Sequence, residues 1–312
     1  MYNSLNPPRS NALIDTVLRN IKLKYVFACI LAILVVTCFI SLTPICAEDC
    51  NCDKYEDTAK SNHLPSKQIQ KHHKHRLAVL VPFRDRFDEL LMFAPHMKEF
   101  LDKQDLDYHI FILNQVDKFR FNRASLINVG FLETRKEFDY IAMHDVDLLP
   151  MNDKLHYNYP REGPLHISSP TLHPRYHYET FIGGILLLNR EHFEQVNGMS
   201  NKYWGWGLED DEFYVRLKEA GLNVTRPPNL STGKEKTFKH VHNRNHRKRD
   251  MVKCFNQREV TRRRDRQTGL NNVSYKLEKS INVTIGNTEL TILNVLLNCD
   301  EAISPWCLCS TK

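Results

Sequence analysis

Beyond its first quarter, the chain alternates short apolar runs with amphipathic segments. The apolar runs at residues 77–81, 108–113 and 140–144 have the length of buried strands, and helical spacing covers residues 87–103 and 123–135 between them. This alternation predicts an α/β domain with a parallel sheet covered by helices. Ligands of such sheets bind at the carboxyl ends of the strands, so we expect the chemistry directly after the apolar runs.

A longer apolar run occupies residues 25–42 and carries no charged side chain. Its length matches the ~17–25 residues of a transmembrane helix. Basic side chains precede it and acidic side chains follow it, which favours a cytosolic N-terminus. The pattern predicts a single-pass type II membrane protein. A cleaved signal peptide is the alternative, although its apolar region usually has only ~7–15 residues.

This interpretation divides the 312 residues into four regions. Residues 1–24 form a cytosolic tail and residues 25–42 a transmembrane signal anchor. Residues 43–75 are polar and lack periodicity, as expected of a flexible stem. Residues 76–312 are predicted to form one lumenal catalytic domain, which is within the usual size of a large α/β domain.

A formal net charge of +6 raises the possibility of nucleic-acid binding. The basic side chains, however, concentrate at residues 244–249 and 262–266, and no stacking aromatic residues alternate with them. We therefore predict no nucleic-acid partner. The two runs are interpreted either as a solvated basic face or as a contact for an anionic acceptor.

A lumenal domain would meet glycosylating enzymes and an oxidising environment. Four Asn-x-Ser/Thr sequons fit this location, and they begin at Asn223, Asn229, Asn272 and Asn282. Two disulfides are predicted among the last four cysteines, Cys254, Cys299, Cys307 and Cys309, with the pairing left open. A zinc site at the Cys-x-Cys pair is the alternative.

Two carboxylates, Asp145 and Asp147, follow the apolar run at residues 140–144. In an extended chain, side chains two residues apart lie on the same side. Paired carboxylates at this position suit Mg²⁺ or Mn²⁺ bound to a diphosphate. Because Asp-x-Asp is also common in turns, the motif by itself is weak.

A second pair of candidate ligands is formed by His240 and His242, again two residues apart. Imidazole nitrogens combined with a carboxylate make a mixed site that favours Mn²⁺ over Mg²⁺. An exposed histidine pair beside the basic run is the alternative. Together with the Asp-x-Asp motif, the pair favours a metal site.

Residues 203–213 combine two tryptophans and two glycines with four consecutive acidic residues. Unpaired carboxylates are costly in a core, so this segment predicts a binding site. An indole ring packs against the apolar face of a sugar, and a carboxylate can act as general base on a hydroxyl group. The alternative is a helix at residues 211–220 whose dipole the acidic residues complement.

These motifs, in this order, resemble the animal β-1,4-galactosyltransferase family, most closely its xylosylprotein branch. The resemblance covers residues 76 to about 306, and its motifs stand at residues 81–86, 121–124, 145–147, 204–212 and 240–242. The family implies a GT-A fold, in which a Rossmann-like, mostly parallel sheet with helices on both faces merges with an acceptor-binding half.

The resemblance also implies roles for individual residues. UDP-galactose would be bound by Pro82, Phe83, Arg84, Arg86, Phe121, Arg123, Asp145, Val146, Trp206 and Glu209. Mn²⁺ would be held by Asp147, His240 and His242. Asp210 would be the catalytic base of a single inverting displacement. The acceptor would contact Tyr176, Tyr178, Trp206, Leu208, Asp210 and Asp211.

The chain departs from the family members that act on N-acetylglucosamine, which carry Gly-Gly where this chain has Gly207 and Leu208. A leucine should shrink the acceptor pocket, and a smaller pocket fits xylose. The resemblance therefore implies transfer to xylose on a proteoglycan core protein in the Golgi. An N-acetylglucosamine acceptor or a UDP-N-acetylgalactosamine donor is the alternative within the family. A lectin-like membrane protein without catalysis is the alternative from another class.

Overall fold

The computed structural model describes residues 25, 30–35, 37, 74–230, 234–242 and 248–309. Within these ranges no helix is both long and apolar enough to cross a membrane. The predicted cytosolic tail lies outside the described residues, as do most of the predicted anchor and stem. The chain divides into two compact units, residues 1–68 and 69–312, and the second carries the fold described below.

Strands and helices alternate along the first half of the second unit, as the sequence pattern predicts. The strands are β1 (Arg76–Phe83), β2 (Asp107–Gln115), β3 (Tyr140–His144), β4 (Leu148–Pro150), β5 (Leu165–His166), β6 (Ile185–Asn189), β7 (Phe238–His240), β8 (Tyr275–Ile285) and β9 (Thr288–Leu297). The helices are α1 (Phe87–Asp102), α2 (Arg123–Thr134), α3 (Arg190–Gln195), α4 (Glu209–Glu219), α5 (Lys234–Thr237) and α6 (Gln257–Val260), with 3₁₀ turns at Leu270–Asn272 and Pro305–Leu308.

Seven strands form one sheet in the order β5-β6-β3-β1-β2-β9-β8. The four central strands, β3, β1, β2 and β9, are parallel to one another, whereas β6 pairs antiparallel with β3 and β5, and β8 pairs antiparallel with β9. The sheet is therefore mixed, and the expectation of a mostly parallel sheet holds only for its centre. At one margin the reason is local: β8 and β9 are joined by a tight turn in which Gly286 has φ 62°, and such a hairpin can only be antiparallel.

Helices cover both faces of the sheet, as expected. Leu77 and Val79 of β1 belong to the core on the α1 side, whereas Ala78 and Leu80 belong to the core on the α2 side. All four side chains are fully buried. This burial on both faces fixes β1 in the middle of the sheet, so that its carboxyl end lies at the edge where ligands bind.

A buried ion pair between Glu212 and Arg216 fixes the position of α4. Arg216 is 2% exposed, and its Nε donates to both carboxylate oxygens of Glu212 at 3.0 and 2.9 Å. Its Nη groups donate to the carbonyl oxygens of Gly198 at 3.0 Å and Thr268 at 2.9 Å. Through Arg216, Glu212 therefore connects α4 to the two loops that contain Gly198 and Thr268. Glu212 is the last of the four consecutive acidic residues, and it does not line the cleft described below.

We expect Arg216→Met to lower the free energy of unfolding by about 3 kcal/mol, because the buried Glu212 carboxylate would keep only Arg264 as an arginine partner and the carbonyl oxygens of Gly198 and Thr268 would lose a donor. Chemical denaturation measures the loss. Arg266→Met is the matched control, since its side chain is 72% exposed and its ion pair with Glu219 should contribute less than about 1 kcal/mol. Equal losses in the two variants would contradict an anchoring role for Arg216.

Candidate active site

A cleft of about 660 Å³ opens beyond the carboxyl ends of β1 and β3. This volume is typical of a site for a small molecule. The cleft brings together nearly every predicted site residue: Pro82, Arg84, Arg86, Phe121, Arg123, Asp145, Val146, Asp147, Tyr176, Tyr178, Trp206, Leu208, Glu209, Asp210, Asp211, His240 and His242.

Phe83 is the exception among the predicted donor-binding residues. Its side chain is 3% exposed and belongs to the hydrophobic core, where its ring meets the edge of Phe87 at 5.5 Å. Side chains alternate across a strand, so Pro82 and Arg84 reach the cleft while Phe83 faces the helix layer. The Phe83 side chain therefore does not line the cleft, and a contact between Phe83 and the donor stays a prediction.

The three predicted metal ligands converge in the cleft. His242 Nδ1 lies 3.3 Å and His240 Nε2 lies 3.9 Å from the same oxygen, Oδ2 of Asp147. Neighbouring ligands of an ion bound at about 2.1 Å stand roughly 3 Å apart, so these separations are close to those of a ligand set. Among the described residues no three His, Cys, Asp or Glu side chains already form a closed metal cluster.

The ionisation of the triad suits a cation. Burial lowers the pKa of His240 to about 4 and also lowers that of His242, so both imidazoles are neutral and keep a lone pair for a ligand bond. Burial and the nearby Asp145 raise the pKa of Asp147 to about 6. A positive charge between these groups would relieve that penalty.

The segment from Asp145 to Asp147 is a turn, because Leu148 N–H donates to the Asp145 carbonyl at 3.3 Å. The expectation of an extended stretch is wrong, although both carboxylates still reach the cleft. Their surroundings differ: Asp147 meets the histidines, whereas Asp145 accepts a hydrogen bond from Arg123 Nε at 2.8 Å. The turn thus directs Asp147 towards the histidines and Asp145 towards an arginine.

Two arginines of the first motif have partners of their own. Arg84 donates to the backbone carbonyls of Gln115 at 3.1 Å, Phe119 at 2.6 Å and Asp117 at 3.0 Å, so it braces the loop after β2. Arg86 Nη1 lies 3.5 Å from His242 Nδ1, beside the metal triad. Arg86 is therefore the better placed of the two for a phosphate group, and Arg84 supports the wall of the cleft.

Three carboxylates at the start of α4 share the cleft. Burial raises the pKa of Asp210 to about 8, and the charges of Glu209 and Asp211 add to the rise. Burial also raises the pKa of Glu209, an effect that the Arg123 guanidinium opposes. A carboxyl group with a raised pKa is a stronger base once it is deprotonated, and this property suits Asp210 for taking a proton from a hydroxyl group.

The Trp206 loop is held by groups that no sequence motif predicted. Trp206 N–H donates to the Asp250 carbonyl at 2.9 Å, and the Arg249 guanidinium lies 4.6 Å from the centre of the indole ring. Arg120 holds both carboxylate oxygens of Asp250 at 2.6 and 2.9 Å. Its position next to the motif at residues 121–124 was the only sequence signal that could have identified it.

Aromatic side chains form the opposite wall. Phe181 contacts the rings of Tyr176 and Tyr178, with centroids 5.1 and 5.4 Å apart. Burial raises the pKa of Asp211, and a hydrogen bond from Tyr178 opposes the rise. Leu208 also lines this region, and its φ of 75° is a left-handed conformation that costs energy for a leucine. These groups give the cleft an apolar wall with polar ends, as sugar binding requires.

The two predicted disulfides are confirmed. Cys254 bonds to Cys309 and Cys299 bonds to Cys307, which leaves no thiolate of these four for zinc. The four sequon asparagines are all exposed, at Asn223, Asn229, Asn272 and Asn282. Exposure makes them accessible to a glycosylating enzyme, and their occupancy stays a prediction.

Comparison with known proteins agrees with this site. Residues 49–160 match a family described as the N-terminal region of glycosyl transferase group 7, and residues 163–241 match one described as the N-terminal domain of galactosyltransferase. The chain is 65% identical over 237 residues to β-1,4-galactosyltransferase 7 of Drosophila melanogaster, covering 76% of this chain and 74% of that protein. It is 50% identical over 238 residues to the xylosylprotein 4-β-galactosyltransferase of Caenorhabditis elegans, covering 75% and 82%.

A solved structure gives the same result. The crystal structure of a Drosophila β-1,4-galactosyltransferase 7 mutant in complex with manganese, UDP-Gal and xylobiose matches with a TM-score of 0.75 at 64% identity, over 76% of this chain and all of that one. The second unit is thus a glycosyltransferase catalytic domain built on a mixed α/β sheet. The chain belongs to the β-1,4-galactosyltransferase family.

Proposed function

We propose that this enzyme transfers galactose from UDP-galactose to the 4-hydroxyl of β-linked xylose on a proteoglycan core protein. The observation that carries the proposal is the presence of Asp210, the Asp147 triad and the aromatic wall in one cleft. The names of the relatives agree, since one acts on xylosylprotein and another was solved with UDP-Gal, manganese and xylobiose.

The donor half of the cleft would bind the nucleotide sugar. Asp147, His240 and His242 would hold Mn²⁺, which supplies positive charge to the diphosphate of the leaving group. Arg86 adds a second positive charge beside this site. Phe121 lines the same cleft and offers an aromatic surface to the uracil ring.

In the reaction, Asp210 takes the proton of the acceptor 4-hydroxyl. The acceptor oxygen then forms a bond to the anomeric carbon of galactose, and the bond from that carbon to the diphosphate oxygen breaks. UDP leaves with the electron pair. One displacement inverts the configuration, and no covalent intermediate on the enzyme is required.

Leu208 and the tyrosines would select the acceptor. A leucine in a left-handed conformation is strained where glycine would not be, and strain of this kind concentrates at functional sites. The side chain narrows the region where a larger sugar would place its N-acetyl or hydroxymethyl group. Tyr176 and Tyr178 offer ring surfaces for the sugar on the other side.

For the whole chain we propose a GT-A catalytic domain at residues 76–312, held in the Golgi membrane by an anchor at residues 25–42. A cytosolic tail at residues 1–24 and a stem at residues 43–75 complete the type II arrangement. The basic flank before the apolar run, the exposed sequons and the two disulfides support a lumenal location.

We expect Asp210→Asn to lower galactose transfer by a factor on the order of 10²–10⁴, since the general base is lost. Transfer from radiolabelled UDP-galactose to a β-xyloside, with Mn²⁺ or EDTA, measures the effect. A β-N-acetylglucosaminide is the comparison acceptor. Transfer only to the glucosaminide would overturn the xylose assignment, and no transfer by the unmodified enzyme would favour a lectin-like protein.

The same variant tests the electrostatic state of Asp210. Its pKa in the folded protein is raised from 3.8 to about 8, so the folded state binds its proton more tightly than the unfolded state. The stability that this protonation contributes is complete below pH 3.8 and is lost as the pH rises to about 8. We expect the melting temperature of Asp210→Asn, relative to the unmodified protein, to rise over this range. A pH-independent difference would contradict the raised pKa.

We expect His242→Ala to raise the half-saturating Mn²⁺ concentration by at least about ten-fold, because one of three protein ligands is removed. Transfer measured across a Mn²⁺ titration gives the value. His192→Ala, on α3 and outside the cleft, is the control and should leave it unchanged. An unaltered titration in His242→Ala would exclude this histidine as a ligand.

We expect Leu208→Gly to reduce the preference for xyloside over glucosaminide by about 10-fold or more without destabilising the protein. Glycine adopts the φ of 75° without strain and removes the side chain that narrows the acceptor region. The ratio of kcat/KM for the two acceptors is the measurement. Leu208→Ala keeps the strained conformation and serves as comparison; an unchanged ratio in the glycine variant would show that Leu208 does not select the acceptor.

A further inference from the structure

His173 lies in the cleft but belongs to none of the sequence motifs. It is 3% exposed, and its ring centroid is 5.1 Å from that of Tyr176 and 5.0 Å from that of Phe181. The charge of Asp145 acts on its ionisation, so the ring also lies near the donor half. His173 therefore stands where the aromatic wall meets the donor half of the cleft.

The backbone fixes which ring nitrogen of His173 carries the proton. The N–H groups of Arg175 and Tyr176 both donate to Nδ1, each at 3.0 Å. A nitrogen that accepts two hydrogen bonds cannot itself be protonated, so the proton is on Nε2. Burial lowers the pKa of His173 to about 3, so the ring is uncharged at a pH near neutrality.

The Nε2–H group of His173 has no partner among the residues that the structure describes. This nitrogen is also not one of the fully buried side-chain atoms without a partner among the described residues. A nine-tenths buried side chain that leaves a fixed donor unpaired in a cleft offers that donor to a ligand. Because the ring is neutral, its N–H group can orient a ligand without adding a positive charge to the cleft.

The surroundings indicate which ligand atom would accept this hydrogen bond. A sugar hydroxyl both donates and accepts, so it suits a site with a carboxylate on one side and a neutral N–H donor on the other. Asp145 is such a carboxylate and lines the same cleft. Phosphate oxygens, in contrast, are better served by the cationic groups Arg86 and Arg249, which also line it.

We propose that His173 Nε2–H donates a hydrogen bond to a hydroxyl oxygen of the galactose in bound UDP-galactose. The inference rests on the proposed function for the identity of the donor. It makes His173 a binding residue that orients the sugar before transfer. This hydrogen bond should not contribute to the binding of UDP, because UDP carries no galactose.

Three variants of His173 distinguish the role of Nδ1 from that of Nε2. His173→Asn keeps an oxygen near Nδ1 for the two backbone N–H groups and removes the donor at Nε2. His173→Gln keeps an N–H donor near the Nε2 position. His173→Phe keeps the ring shape and removes both functions. His109→Asn, on β2 and outside the cleft, is the matched control.

Calorimetric titration of the full chain in Mn²⁺ with UDP-galactose and with UDP tests the proposal. We expect His173→Asn to weaken UDP-galactose binding about 10-fold, the scale of one hydrogen bond, while UDP binding and the melting temperature stay unchanged. His173→Gln should recover part of the loss. His109→Asn should bind both ligands as the unmodified protein does.

Two results would overturn the proposal. One is UDP-galactose binding by His173→Asn as tight as that of the unmodified protein. The other is an equal loss for UDP and UDP-galactose, which would assign Nε2 to the nucleotide. Failure of the unmodified protein to bind UDP-galactose would instead contradict the proposed function, so the two failures are distinguishable.

Discussion

Arg123 stands between two groups of carboxylates that would otherwise repel one another. Its Nε bonds to Asp145 at 2.8 Å, and its charge opposes the rise in pKa of both Glu209 and Asp210. The cleft can hold so many acidic groups at low exposure because this guanidinium lies among them. Arg123 begins α2, where the Asn122 side chain accepts the Ser125 N–H at 2.9 Å, so the first turn of that helix fixes the charge balance of the site.

The residues around the start of α2 make contacts on two sides. Arg123 points into the cleft, while Arg120, three residues earlier, holds Asp250 and donates to the carbonyl oxygen of Trp306 at 3.1 Å. Asp250 in turn accepts the backbone N–H of Trp206. The segment that carries the two disulfides thereby supports the Trp206 loop, which lines the cleft. The donor pocket and the tryptophan loop thus depend on one short segment between β2 and α2.

The sequence predicted what short-range patterns determine. Periodicity identified the first three strands with the helices between them, and the motifs identified most of the residues that line the cleft. Two features with local causes were missed: the β8–β9 hairpin makes one margin of the sheet antiparallel, and the alternation of side chains along β1 turns Phe83 to the core. His173 lies outside every motif, and only the backbone N–H groups on its Nδ1 reveal the free donor.

A single inverting displacement on xylose fixes both the position and the configuration of the bond in the product. The product of UDP-galactose and a β-xyloside, formed in Mn²⁺ by the full chain, would be analysed by NMR for the linkage position and the anomeric configuration of the new bond. We expect a single product in which galactose is β-linked to the 4-oxygen of xylose. An α-linked product, or a bond to another hydroxyl of xylose, would contradict it.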